Sequence, residues 1–120
     1  MRKLKEWPKD KKIVAVDFDG TITQKDNRVW TGKNTYKNDI MEPNNEMIES
    51  IKANRNKIYL ILWSCRTGKA LRDAVRFCSD NGIHFDAVNR NIVRYPSSRK
   101  IMADIYIDDK GAYSQWQTKI

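Results

Sequence analysis

The chain has no hydrophobic run long enough to cross a bilayer. Its longest apolar stretch, Ile58 to Trp63, falls far short of the roughly 20 residues a spanning helix needs and has the length of a buried strand. Histidine is nearly absent, with His84 standing alone after a helix-stop signal. Cysteine is limited to Cys65 and Cys78, which form no CxxC pair, so the sequence offers no zinc-type cluster and both thiols are expected to be reduced. The N-terminus is charged from its second residue and lacks an apolar signal region, so a soluble cytoplasmic protein that does not bind membranes is the expectation. Negative charge is in deficit: 23 Lys and Arg face 15 Asp and Glu, giving a net charge of +8. Such a balance favours anionic partners, either a phosphorylated small molecule or nucleic acid. The 120 residues suit one domain, and a hydrophobic content of 40% suffices for one core.

Apolar patterning alternates between strand and helix. Ile13-Val14-Ala15-Val16 is a β-branched run that predicts a first buried strand. Pro43 suits a first helical position, and Met47, Ile48 and Ile51 share one face of the helix that follows, ending at Asn54-Arg55-Asn56. Ile58 to Trp63 predicts the second strand. Gly68 opens a second helix, with an apolar stripe of Leu71, Ala74, Val75 and Cys78. Asn81-Gly82 then stops it, with Ile83 placed for the accompanying hydrophobic contact. Phe85 to Val88 and Ala103 to Ile107 read as further strands. Strands that are apolar throughout and alternate with helices imply an α/β fold with a parallel sheet covered on both faces. Two segments stand outside this pattern. Residues 1–12 form a basic arm (Arg2, Lys3, Lys5, Lys9, Lys11, Lys12) that is expected to be solvated. Residues 21–42 form a polar loop much longer than usual, which reads as a flap over the site with a hairpin around Val29 to Lys33.

Chemistry collects after the strands, where open parallel sheets bind their ligands. The first strand is followed by Asp17-Phe18-Asp19-Gly20-Thr21, the second by Ser64-Cys65-Arg66-Thr67-Gly68, the fourth by Asp108-Asp109-Lys110. Four aspartates at buried strand ends are costly unless paired or metal-bound. A divalent cation answers that cost, and an all-oxygen donor set points to Mg²⁺. Of Asp17 and Asp19, one can attack phosphorus and the other can protonate the leaving oxygen and then deprotonate water. Gly20 permits the sharp turn that brings main-chain N–H groups towards phosphate. Ser64 reads either as a phosphate-binding hydroxyl or as a helix cap, with Thr67 as the competing cap, and Cys65 is carried next to it. Arg66 reads equally as a phosphate ligand or as a solvated side chain. Trp30 and Tyr36 read as packing of the loop on the domain, or as a platform for a nucleobase.

The run Asp17-Phe18-Asp19-Gly20-Thr21 after an apolar strand resembles the first motif, DxDGT, of the haloacid dehalogenase (HAD) superfamily. Ser64 resembles its second motif, Lys100 its third, and Asp108-Asp109 after Ile105-Tyr106-Ile107 its fourth, in the family's order from Ile13 to about Lys110. The Ser98-Arg99-Lys100 segment resembles that of small capless members, and Lys69, Arg66 and Arg99 compete with Lys100 for the lysine's role. The resemblance implies a three-layer Rossmann-like domain without a large cap. It also implies a magnesium-dependent phosphatase working through an aspartyl-phosphate, with Asp17 as nucleophile and Asp19 as acid/base. Ser64 and Lys100 would then hold the phosphoryl group. Magnesium would be bound by Asp17, the main-chain carbonyl of Asp19 and either Asp108 or Asp109. The implied substrate is a nucleotide, a sugar phosphate or a nucleic-acid end, and a second protomer is a possible source of the missing cap. Two readings from other classes compete: a phosphoacceptor signalling domain, against which Asp19 speaks, and a non-catalytic nucleic-acid-binding module.

Overall fold

A computed structural model describes residues 2–25, 27–33, 35–94 and 99–108. Asp109 lies outside them, so the expectation placed on it is not addressed by the structure. The elements run β1 (Lys12–Val16), β2 (Val29–Trp30), β3 (Tyr36–Lys37), α1 (Asn45–Asn54), β4 (Ile58–Leu62), α2 (Gly68–Asp80), β5 (Ala87–Val88) and β6 (Ile105–Ile107). β5, β4, β1 and β6 form, in that order, a four-stranded sheet whose pairs are all parallel, and the small antiparallel β2–β3 hairpin stands apart. The fold is thus mixed α/β around a parallel sheet.

Alternation along the strands divides the core. Val14, Val16, Leu60, Leu62, Ile105 and Ile107 point to one face, where they pack with Met47, Ile48 and Ile51 of α1 and Ala74 and Cys78 of α2. Ile13, Ala15 and Ile61 point to the other, where they meet Ile92, Val93 and Leu4. Chain direction explains this asymmetry. The β1–α1–β4 and β4–α2–β5 units step the same way across the sheet, and right-handed crossovers therefore place both helices on one face. The return from β5 to β6 steps the opposite way and must cross the other face. Among the described residues that face carries irregular chain where a helical layer is expected.

The helix signals hold in part. Asn44, not Pro43, terminates α1: its side chain accepts from Met47 N at 3.4 Å, and Pro43 precedes this cap instead of occupying the first helical position. There Pro43 pairs with Thr23 in an antiparallel bridge and its carbonyl accepts from Gln24 Nε2, which ties the 21–42 segment to the start of α1. α2 ends as expected. Gly82 adopts φ 82°, Ile83 N donates to Cys78 O at 2.8 Å, and Ile83 is buried against the same core.

The basic arm is not free in solution. Leu4 N donates to Ile92 O at 2.8 Å, Arg94 N donates to Leu4 O at 2.6 Å, and Trp7 Nε1 donates to Asp104 Oδ1 at 3.1 Å. Leu4, a lone apolar residue among charges, packs on the second face, and the exposed lysines around it stay in water. None of the helices among the described residues is long and apolar enough to cross a membrane.

Cys78 is fully buried and its burial pushes the thiol up to about 12, whereas Cys65 is exposed. A thiol titration at pH 8 is expected to find one reactive cysteine in the native protein and two after denaturation, because the thiolate is the reactive form. Two fast native thiols would contradict the packing of α2.

Candidate active site

In this strand order the sheet reverses its direction of build between β1 and β6, and such a switch point leaves a crevice beyond the strands' carboxyl ends. Asp17 and Asp108 are the residues that follow these two strands. Val16 is in register with Ile107, and Asp17 N donates to Ile107 O at 2.8 Å. Parallel strands lie about 4.8 Å apart, so the two aspartates leave the sheet side by side. Ser64 leaves the neighbouring strand β4, as Trp63 N donates to Val16 O at 2.9 Å.

Beyond Asp17 the chain makes a tight turn over Phe18–Ile22. Gly20 sits at φ 78°, which a side chain would disfavour, and Phe18 is fully buried beneath. The turn is closed internally: Gly20 N donates to Thr23 Oγ1 at 3.0 Å, and Thr23 N donates to Phe18 O at 3.2 Å. The turn expected at Gly20 is present, and the Gly20 N–H itself is committed to Thr23. Thr21 Oγ1 is buried and has no hydrogen-bond partner among the described residues.

The Asp19 carboxylate meets Arg66, four residues beyond the end of β4. That arginine is only 1% exposed, and all five of its N–H groups are used. Nε donates to Asp19 Oδ2 (2.9 Å) and Nη2 to Asp19 Oδ1 (2.8 Å). Nη1 donates to Asp39 Oδ2 (2.9 Å) and Ala70 O (3.2 Å), and Nη2 also donates to Asp39 Oδ1 (2.6 Å). The guanidinium carbon lies over the rings of both Phe18 and Tyr36, 5.0 and 5.5 Å from their centroids. Burial alone would lower its proton affinity, but the hydrogen bonds and charges of Asp19 and Asp39 more than reverse that, so Arg66 is held charged. It is neither solvated nor a phosphate ligand, since no donor remains to offer.

Arg28 completes the cluster. Its Nη1 lies 3.0 Å from Asp19 Oδ2 as an ion pair, Nη2 donates to Cys65 Sγ at 3.3 Å, and its guanidinium carbon lies 4.4 Å from the Tyr36 ring centroid. Arg28, Tyr36 and Asp39 all come from the 21–42 segment, which thus reaches the end of the sheet as a flap. Tyr36 packs on the arginines, as expected of loop packing, while Trp30 contacts the Tyr36 ring and stays half exposed. Arg28 and Asp39 carry no individual signal in the sequence; only the length and polarity of their loop mark the region.

Ser64 is no helix cap. Its Oγ accepts from Arg66 N at 3.1 Å, and its own N–H donates to Asn89 Oδ1 at 2.8 Å. Thr67 holds the position before α2 without a side-chain cap bond. The two contacts fix Ser64 at the crevice with its hydroxyl proton uncommitted among the described residues. Lys100 lies on the second face in the crossover to β6. Asn91 grips its main chain, with Nδ2 donating to Lys100 O (3.0 Å) and Oδ1 accepting from Met102 N (2.6 Å), and the Lys100 side chain is exposed. Lys69 pairs instead with Asp73 on the surface of α2, at 2.7 Å.

Among the described residues no three His, Cys, Asp or Glu side chains gather as a metal cluster, and the Asp19 carboxylate faces arginines. A cation at the switch point would rest on the carboxylates of Asp17 and Asp108 and the Asp19 main-chain oxygen. That donor set fits Mg²⁺, which takes one or two carboxylates and keeps the rest of its shell for water and substrate phosphate.

Removing Arg66 would leave Asp39 without its cation and Asp19 with Arg28 alone. Arg66→Ala is expected to cost about 3–5 kcal/mol in a urea melt, and Arg66→Lys to recover little of it, since an ammonium cannot form both forks. A melt within about 1 kcal/mol of wild type would contradict the buried clamp.

No protein-family model and no curated protein matches the chain. A solved structure does: that of a conserved protein from Bacteroides thetaiotaomicron, 33% identical, with a TM-score of 0.65 over 83% of this chain and 77% of that one. At this identity and coverage, the chain belongs to the same family as that conserved Bacteroides protein.

Proposed function

We propose that the protein is a magnesium-dependent phosphomonoester hydrolase of the haloacid dehalogenase type, with a Rossmann-like domain and no large cap. The observation that carries this reading is the juxtaposition of Asp17 and Asp108 at the switch point, with the Ser64 hydroxyl on the adjoining strand. A carboxylate pair at this crevice, with a hydroxyl beside it and a second aspartate two residues on, suits in-line phosphoryl transfer.

In this mechanism an oxygen of Asp17 attacks phosphorus, the bond to the ester oxygen breaks, and that oxygen takes a proton from Asp19. Water then attacks the aspartyl-phosphate, gives its proton to Asp19, and phosphate leaves as the bond to Asp17 breaks. Ser64 donates to a phosphoryl oxygen and Lys100 supplies positive charge. Mg²⁺, when bound, neutralises charge on the phosphoryl oxygens. The substrate is a phosphate monoester on a small molecule or on a nucleic-acid end. The basic surface accommodates both, and a steep fall of activity with salt marks the latter.

The test is phosphate release from an aryl phosphate with Mg²⁺ or with chelator. Wild type is expected to require Mg²⁺, and Asp17→Asn to lose about 10³-fold or more of the activity while melting like wild type. Robust turnover by Asp17→Asn would remove Asp17 from the nucleophile's role.

A further inference from the structure

We infer that Asp39 is a positioning residue for the acid/base Asp19, acting through Arg66, so that the proton donor is assembled only when the 21–42 flap is seated. This rests on the reading of Asp19 given above.

Arg66 has two edges. One, made of Nε and Nη2, forks onto Asp19, and the other, made of Nη1 and Nη2, forks onto Asp39. With Nη2 shared, the guanidinium cannot turn in its plane without breaking a bond to one carboxylate or the other. Phe18 and Tyr36 block motion out of that plane. The plane of Arg66 in turn sets the rotamer of Asp19, whose side chain is only 9% exposed. Held this way, Asp19 Oδ1 accepts a single hydrogen bond among the described residues and keeps a lone pair to carry the proton that it gives to the leaving-group oxygen and later takes from water. Charge agrees with this division of labour: two arginines, Arg28 and Arg66, face two aspartates, so Asp39 provides the second negative charge that lets Arg66 sit dry beside Asp19.

Every flap residue in the cluster contributes to the same end. Asp39 holds the far edge of Arg66, Tyr36 covers its face, and Arg28 pairs with Asp19 Oδ2. A displaced flap would remove all three supports together. Asp39 meets the edge of Arg66 opposite the Asp19 fork, and its effect passes through Arg66.

Leaving groups separate this role from a purely structural one. An alkyl phosphate needs a proton on its departing oxygen, whereas p-nitrophenyl phosphate leaves without one, and kcat/KM reports the step in which that group departs. Asp39→Asn and Asp39→Ala are expected to lose about 10²-fold in kcat/KM on the alkyl phosphate and less than about threefold on p-nitrophenyl phosphate, with Asp39→Glu recovering part of the loss. The comparison within one variant controls for folding, since a smaller folded fraction lowers both substrates equally. Equal losses on both substrates, or no loss on either, would overturn the inference while wild-type activity left the parent reading intact. A wild type silent on both substrates would instead overturn the parent reading, and this one with it.

Discussion

A guanidinium with 1% of its surface in water has to find its counter-charges within the protein, and the arrangement of the site follows from that requirement at Arg66. Asp19 satisfies one edge from the turn after β1. The other edge has no acceptor on the sheet, and Asp39 reaches in from the 21–42 segment to supply it. Tyr36 and Arg28 come with it, so one buried charge determines where an otherwise polar and weakly packed loop lies. Buried ion pairs of this kind add little net stability compared with apolar replacements, but breaking one is expensive, which makes them better at selecting one geometry than at strengthening a fold. The Phe18 and Tyr36 rings against the guanidinium add contact to that selection.

A second constraint, independent of the first, acts on the backbone. Right-handed crossovers put α1 and α2 on one face and force the return to β6 over the other, which opens the crevice between β1 and β6. Asp17 and Asp108 occupy that crevice because of where their strands end, and Asn89, at a left-handed φ of 52°, brings its side chain to the Ser64 amide from the end of β5. The arginine clamp and the strand-end pair thus meet at the same edge of the sheet: one orients Asp19, the other presents Asp17.

The parallel sheet and both helices were legible because apolar runs and stripes of the right period leave few alternatives, and Gly82 and Ile83 marked the end of α2 through a backbone conformation that glycine favours. The run from Asp17 to Thr21 was legible for the same local reason. The roles of Arg66, Arg28 and Asp39 were not, since Arg66 meets Asp39 and Asp19 from 27 and 47 residues away, Arg28 meets Asp19 only through the turn of its loop, and a lone charged residue reads as solvated. Pro43 misled because proline suits the position before a cap as well as the first turn, and the deciding contact was the side chain of Asn44. The N-terminal arm misled because a single leucine among six basic residues carries no period, yet one partly buried side chain and two main-chain bonds dock it. The helix expected on the second face is replaced, among the described residues, by Asn91 and Tyr106 bonding the main chain of the crossover.

In the proposed mechanism Asp17 becomes transiently phosphorylated, and chemical trapping reads that state out. Borohydride added during turnover of a phosphate ester reduces an acyl phosphate to the alcohol, converting the modified aspartate to homoserine, which peptide mass spectrometry can locate. The predicted result is conversion at Asp17, dependent on both substrate and Mg²⁺. Conversion at another carboxylate, or full turnover with Asp17 unmodified, would contradict it.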